Sequence, residues 1–261
     1  MIQLIKMSLE VKEENGFKFV EVGSGPIVMN LHGLFGALSN FKDVTDYFSK
    51  NYTVVIPILP LYSLELENTS VNGMVDYLDA FIEYKGYNEV NLIGNSLGGH
   101  IALLFTLRKQ NKVKSMTLTA SSGLFESSLG DQYPRKSDKE YIRRKTAETF
   151  YDPAVATDEL VEEVYSIVNT REKAIRVIFI AKSAVRHNLR DELHQITIPC
   201  NLIWGMNDTI TPPFVGEEFH KLLVNSELTL LDKCGHAPMM ELPKEFNECM
   251  DQFLNKVYQK V

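Results

Sequence analysis

The sequence predicts an α/β protein: a mostly parallel central sheet flanked by helices on both faces, with one inserted all-helical segment. Three observations predict it. Short β-branched and aliphatic runs bounded by Gly, Pro or Asn recur along the chain. Stretches of helical spacing lie between them. The alternation fails only once, over about 65 residues from Leu124 to Arg190, where the spacing is helical throughout. A length of 261 residues allows one large domain, or one domain carrying a sizeable insertion.

In order, the candidate strands are Phe17 to Val22, Ile27 to Leu31, Thr53 to Ile58, Val90 to Gly94, Val113 to Thr119, Asn201 to Trp204 and Leu228 to Leu231. The helical stretches among them are Asn40 to Ser49, Val71 to Tyr84, Leu97 to Lys109, Pro213 to Leu223 and Lys244 to Lys256. Three more helices fit the break. One starts at the capping box Ser137-Asp138-Lys139-Glu140, a second follows Thr157 with Asp158 and Glu159 in its first turn, and a third runs from about Arg171. The expected division is a first core part over 1–123, a helical cap over 124–190 and a second core part over 191–261. Within the cap, Arg135, Lys136, Lys139, Arg143, Arg144 and Lys145 are interspersed with Asp138, Glu140 and Glu148, the pattern of a solvated helix face.

Composition narrows the function. Lys plus Arg number 27 against 34 Asp plus Glu, a net charge of −7, so no cationic excess is available for phosphates and no nucleic-acid partner is expected. The three cysteines, Cys200, Cys234 and Cys249, form neither a disulfide framework nor a C-x-x-C pair, which fits reduced thiols in a cytoplasm. The first residues lack the apolar core of a secretory signal. Val90 to Leu107 is uncharged and about as long as a membrane span, yet it contains Asn91, Asn95, Ser96, His100 and three glycines, so no membrane partner is expected.

That uncharged stretch carries the strongest chemical signal, Gly94-Asn95-Ser96-Leu97-Gly98-Gly99, a G-x-S-x-G pattern between a strand and a helix. A serine on so sharp a turn projects its hydroxyl away from the backbone, and flanking glycines let the chain fold tightly. The helix that follows aims free N–H groups at the same place, where they can stabilise an oxyanion. A serine hydroxyl is a weak nucleophile and needs a base, and the base needs an acid to orient it. Asp208, in Trp204-Gly205-Met206-Asn207-Asp208-Thr209, and His236, in Cys234-Gly235-His236-Ala237-Pro238, each follow a candidate strand. In open parallel sheets, sites form at that edge. The catalytic expectation is therefore Ser96 as nucleophile, His236 as base and Asp208 as its orienting acid.

The order Ser, Asp, His, together with Leu31-His32-Gly33-Leu34-Phe35-Gly36 after the second strand, resembles the α/β-hydrolase fold enzymes that carry a helical cap; the resemblance runs from about Phe17 to Phe253. It implies an HG loop whose backbone supplies the second oxyanion donor, so that the N–H groups of Leu34 and Leu97 form the oxyanion hole. It also implies that His32 serves the loop's structure rather than proton transfer.

Each residue has a plainer alternative: Ser96 as a small turn residue, Asp208 as a loop or helix-capping residue, His236 as a packed histidine. The order of the motifs, each at a strand end, favours the catalytic reading. His100, His187, His194 and His220 lack the spacing of H-E-x-x-H, so no metal is expected. Cys234 has no elbow around it and is read as a packed thiol. Gly23-Ser24-Gly25 opens no helix, so no dinucleotide or other cofactor is expected.

Phe35, Phe125, Met206, Ile210 and Met239 are the candidate pocket lining, with core packing as the alternative for each. An apolar pocket of this kind fits a small or medium acyl substrate, a small molecule being the expected partner of a monomer or homodimer. Hydrolysis of a carboxylic ester is the leading reading. Gly94-Asn95-Ser96 is also similar to the carbon–carbon bond hydrolases that cleave ring-fission products. Those carry a tryptophan after the histidine and a Gly-Pro-Gly oxyanion loop, where this chain has Ala237 and Gly33-Leu34-Phe35-Gly36, and the sequence does not single out Arg171, Arg176 or Arg186 as a match to their carboxylate-binding arginine. A serine rather than an aspartate at the elbow disfavours dehalogenase and epoxide hydrolase chemistry. A non-catalytic small-molecule receptor is the alternative from another class.

Overall fold

The computed structural model describes residues 9–36, 38–125 and 138–259. An eight-stranded sheet forms its centre, in the order β1-β2-β4-β3-β5-β6-β7-β8. The elements in chain order are β1 (Lys12–Glu14), β2 (Phe17–Gly23), β3 (Ile27–Leu31), α1 (Lys42–Phe48), β4 (Thr53–Pro57), α2 (Val71–Lys85), β5 (Val90–Asn95), α3 (Leu97–Lys109) and β6 (Val113–Thr119). They continue with α4 (Lys139–Ala147), α5 (Asp158–Asn169), α6 (Arg171–Arg186), β7 (Cys200–Gly205), α7 (Pro213–Leu222), β8 (Ser226–Leu231), α8 (Pro238–Glu241) and α9 (Pro243–Gln259). β1 pairs with β2 and β2 with β4 antiparallel; every other pair is parallel.

The inner parallel strands are buried on both faces because helices cover both, and their alternate side chains divide into two cores; the edge strand β8 is only part-buried. Met29, Leu31, Leu92, Met116, Leu118, Leu202 and Trp204 point to one face and pack under α2, α3 and α7. Val28, Val54, Ile56, Ile93 and Ile203 point to the other, beneath α1 and α9. Helix α2 shows why these stretches are helical: Val71, Met74, Val75, Leu78, Phe81 and Ile82 form one buried stripe. Ser70 caps its start by accepting from the Gly73 N–H at 3.0 Å, and Gly86 ends it at φ 66°.

Strand order places the site. From β3 the chain moves outward to β4, then crosses back to β5 on the other side, so winding reverses between β3 and β5. At such a switch point the loops after the two strands diverge and leave a crevice. Those loops are His32–Gly36 and the turn at Ser96.

Between β6 and β7 the described residues hold only helical elements, α4, α5 and α6, and α6 packs against α2. Thr157 caps α5. Helix α4 begins one residue later than its capping box predicts: Asp138 is the cap, accepting from Tyr141 N–H at 3.0 Å. Ser137, Arg135, Lys136 and residues 1–8 lie outside the described residues. Two further elements differ from the sequence reading. Strand β1 has an all-exposed Lys-Glu-Glu sequence and no apolar run to reveal it. It is set by a two-residue hairpin in which Asn15 and Gly16 both have positive φ, 49° and 80°. The one-turn helix α8 lies outside every helical stretch that the spacing predicts.

Helix α3 crosses β3 so closely that a Cβ on Gly98 would stand 1.9 Å from the Leu31 carbonyl oxygen. Gly98→Ala is therefore expected to lower unfolding free energy by about 1–3 kcal/mol, measured in urea, through forced overpacking. Unchanged stability would contradict the close approach.

Candidate active site

Ser96 stands between β5 and α3 with φ 54° and ψ −119°, a backbone conformation that L-residues rarely adopt. Hydrogen bonds from both sides hold it. Its N–H donates to the Thr119 carbonyl at 3.1 Å, and its own carbonyl accepts from Ser122 N–H at 3.2 Å and from Gly99 N–H at 3.0 Å. The side chain is half-buried, and its hydroxyl has no hydrogen-bond partner among the described residues. The His32–Gly36 loop lies directly beside it: a Cβ built on Gly33 would be 3.2 Å from Ser96 Cβ.

Asp208 and His236 come together from the loops after β7 and β8. The ring Nδ1 of His236 lies 2.9 Å from Asp208 Oδ2 and 3.2 Å from Oδ1. A carboxylate accepts, so the proton of a neutral ring sits on Nδ1 and Nε2 is left with a lone pair. Asp208 is only 3 % exposed, and burying a carboxylate is costly unless its lone pairs are filled. They are filled locally. Oδ1 accepts from the Ile210 and Thr211 N–H groups at 2.8 and 3.0 Å, and Oδ2 accepts from the Thr211 hydroxyl at 2.9 Å.

Ser96 and His236 are not directly hydrogen-bonded; Asn95 links their segments. Its amide donates to the His236 carbonyl at 3.1 Å and to the Thr119 carbonyl at 3.2 Å, holding the β8 loop against the turn. Leu97 opens α3, so its N–H has no acceptor one turn back. The Leu34 N–H has no acceptor among the described residues either. The Leu34 carbonyl, in contrast, accepts from the Tyr62 hydroxyl, which fixes the peptide that follows it. His32 is buried with Nδ1 2.9 Å from the Gly33 carbonyl, and burial holds its pKa below the ordinary histidine value.

The expected lining residues separate. Phe35 is half-buried in the loop after β3. Phe125, Met206 and Ile210 are exposed, and Phe125 meets Phe214 of α7 edge to face with centroids 5.4 Å apart. Met239, on α8, is 1 % exposed and packs in the core beneath α1 and α9, the alternative that sequence left open.

A sequence profile described as alpha/beta hydrolase fold matches residues 26–151. The crystal structure of MGS-MChE2, an alpha/beta hydrolase enzyme from the metagenome of sediments of the Mar Chica lagoon in Morocco, is 42 % identical, with 95 % of this chain and 98 % of that one covered and a TM-score of 0.79. The chain belongs to the alpha/beta hydrolase family. Among more distant relatives is the monoacylglycerol lipase ABHD6 of Bos taurus, 22 % identical over 90 % of this chain and 77 % of the lipase. The meta-cleavage product hydrolase CumD of Pseudomonas fluorescens IP01 shares the fold at 21 % identity and a TM-score of 0.82, covering 95 % of this chain and 97 % of its own.

In this alpha/beta hydrolase, three contacts around the site were missed from sequence: the Thr211 hydroxyl on Asp208, the Asn95 amide on the His236 carbonyl and the Tyr62 hydroxyl on Leu34. Only the Asp208-x-x-Thr211 spacing carried a readable signal, that of a side chain capping its own turn. No helix among the described residues is long and apolar enough to cross a membrane.

The hydrolase also carries a built-in acid sensitivity beside the turn. His100, one turn along α3 from Ser96, is pushed down to about 4 by burial, with the neighbouring His187 adding to the effect. A histidine with a depressed folded-state pKa takes up its proton more readily when unfolded, so its contribution to stability is complete above about 6.5 and is lost as pH falls toward 4. Thermal stability is expected to decline across that window, and less steeply in His100→Gln. Equal slopes would contradict the assignment.

Proposed function

We propose that this alpha/beta hydrolase is a serine hydrolase that cleaves a carboxylic ester or related acyl bond of a small, largely apolar substrate. The observation that carries this reading is the buried Asp208–His236 pair, 2.9 Å apart, in which the acid holds Nδ1–H and leaves Nε2 available as a base. The half-buried Ser96 hydroxyl, without a partner and presented by a strained turn, supports the nucleophile's role.

In the proposed reaction, Ser96 Oγ attacks the acyl carbon as His236 Nε2 takes its proton, which requires the two atoms to come within about 2.6–3.2 Å in the Michaelis complex. Asp208 stabilises the imidazolium. The N–H groups of Leu34 and Leu97 receive the oxyanion, one such donor being worth about 3–4 kcal/mol of barrier. His236 returns the proton to the leaving alcohol, then activates water to release the acyl group. Helices α4, α5 and α6 act as a cap over the acyl pocket, with Phe35, Phe125 and Ile210 at its edge.

Carbon–carbon bond hydrolysis needs in addition a cation for the substrate carboxylate. Of the cap arginines, Arg176 donates from Nε to the Leu64 carbonyl at 2.8 Å, a tie between α6 and the loop before α2. That tie commits Arg176 to a backbone carbonyl, and Ala237 after His236 with Gly33-Leu34-Phe35-Gly36 in the oxyanion loop favours the ester reading. The receptor reading has no use for a buried carboxylate aligned on a histidine.

Purified protein is expected to hydrolyse p-nitrophenyl butyrate faster than a vinylogous 1,5-diketone acid, and Ser96→Ala to lower the ester rate at least about 10³-fold with an unchanged melting transition. A folded Ser96→Ala protein that retains the original rate would overturn the proposal.

A further inference from the structure

The half-buried Glu241 carboxylate, at the end of α8, is the meeting point of two parts of the chain that are far apart in sequence. Its oxygens accept from Gly235 N–H at 3.0 and 3.1 Å, and Oε1 accepts from Ala237 N–H at 3.2 Å, so it grips the residues on either side of His236. Oε2 accepts at 2.7 Å from Tyr151 N–H, which belongs to the helical insertion just beyond α4. A reciprocal bond lies beside it: the His236 N–H donates to the Thr149 carbonyl at 2.9 Å. The two backbones are also in close contact. A Cβ on Gly235 would be 2.7 Å from the Thr149 oxygen and 2.9 Å from the Tyr151 nitrogen, and Phe150 packs against the core that contains Ala237 and Met239.

From these contacts we propose that Glu241 is a positioning residue that makes the seating of the helical insertion and the orientation of His236 a single event. The proposal rests on the reading of His236 as the base. A bidentate carboxylate can serve three N–H donors at once where one neutral acceptor cannot, and charge-assisted bonds of this kind are roughly twice as strong as neutral ones. The insertion therefore cannot lift at residues 149–151 without breaking both the Tyr151 bond to Glu241 and the His236 N–H bond to Thr149, which removes the outer support of the segment that holds the ring against Asp208. Glu241 touches neither substrate nor reacting atom; its effect reaches the reaction through the histidine. Insertion movement on substrate entry thus becomes a control on the base.

Two variants separate the arms of the carboxylate. In Glu241→Gln the remaining carbonyl oxygen can still serve Gly235 and Ala237, while an amide group replaces the acceptor for Tyr151. In Glu241→Ala both arms are lost. Amide hydrogen exchange reads the coupling without reference to activity. Both variants are expected to speed exchange at Tyr151 and at His236 together, at least tenfold, and Glu241→Ala also at Gly235 and Ala237. With p-nitrophenyl butyrate, kcat is expected to fall at least fivefold in Glu241→Gln and further in Glu241→Ala, with KM within twofold of the wild type. Faster exchange confined to one side of the contact would overturn the proposal, as would an unchanged kcat in a folded variant whose His236 amide exchanges faster. A wild-type protein without ester hydrolysis would instead overturn the reading of the site, and the exchange pattern would still decide the coupling.

Discussion

Ser96 is held at φ 54°, ψ −119°, and the remainder of the molecule is arranged so that this costly turn is formed and kept. A residue in so sparsely populated a conformation costs about 1–3 kcal/mol unless its surroundings over-determine it. Here β5 and β6 run side by side to the turn, and their register brings Thr119 opposite Asn95, from where its carbonyl receives the Ser96 N–H. The tight approach of α3 to β3, possible only with glycine at Gly98, starts the helix immediately after the serine. Straightening the turn would require β5, β6 and α3 to separate within the buried core. The hydroxyl, its neighbouring helix N–H groups and the β3 loop are therefore brought together by packing rather than by contacts among themselves.

The polar groups around the turn follow a second constraint, that nothing charged is buried without partners. Asp208 meets it with donors from its own loop, so the carboxylate is already oriented before it meets His236. The His236 loop is held locally by Glu241 and also from outside, by Asn95 on one side and by the insertion on the other. Asp208 thus sits on a self-sufficient turn, whereas His236 depends in part on contacts from distant segments. On the proposed reading, movement of the insertion would act on His236 before Asp208.

Much of this was readable from the sequence. The strand runs and the Gly94-Asn95-Ser96-Leu97-Gly98 pattern located the sheet, the turn and its helix, because burial on both faces imposes aliphatic runs and a sharp strand-to-helix turn imposes glycine. Asp208 and His236 were readable by the same logic, since both follow runs that had to be strands. Strand β1 was not, because its three charged residues obey the Asn15-Gly16 turn and not a hydrophobic pattern. Nor were the contacts of Asn95, Tyr62 and Glu241. They join residues 141, 28 and up to 90 positions apart, and polar pairing at such separations leaves no local periodicity. Met239 shows the opposite difficulty: an apolar residue three positions from His236 reads equally well as pocket or core, and only the packing of α8 decides.

On the proposed reading, the hydroxyl at the turn, the imidazole and two backbone N–H groups converge on one reacting centre. A crystal structure of the protein after treatment with a fluorophosphonate tests this most directly. Phosphorus is expected bonded to Ser96 Oγ, with one phosphoryl oxygen within about 3.1 Å of both the Leu34 and Leu97 nitrogens and His236 Nε2 turned toward the adduct. An adduct on another residue, or a phosphoryl oxygen facing away from both nitrogens, would contradict it.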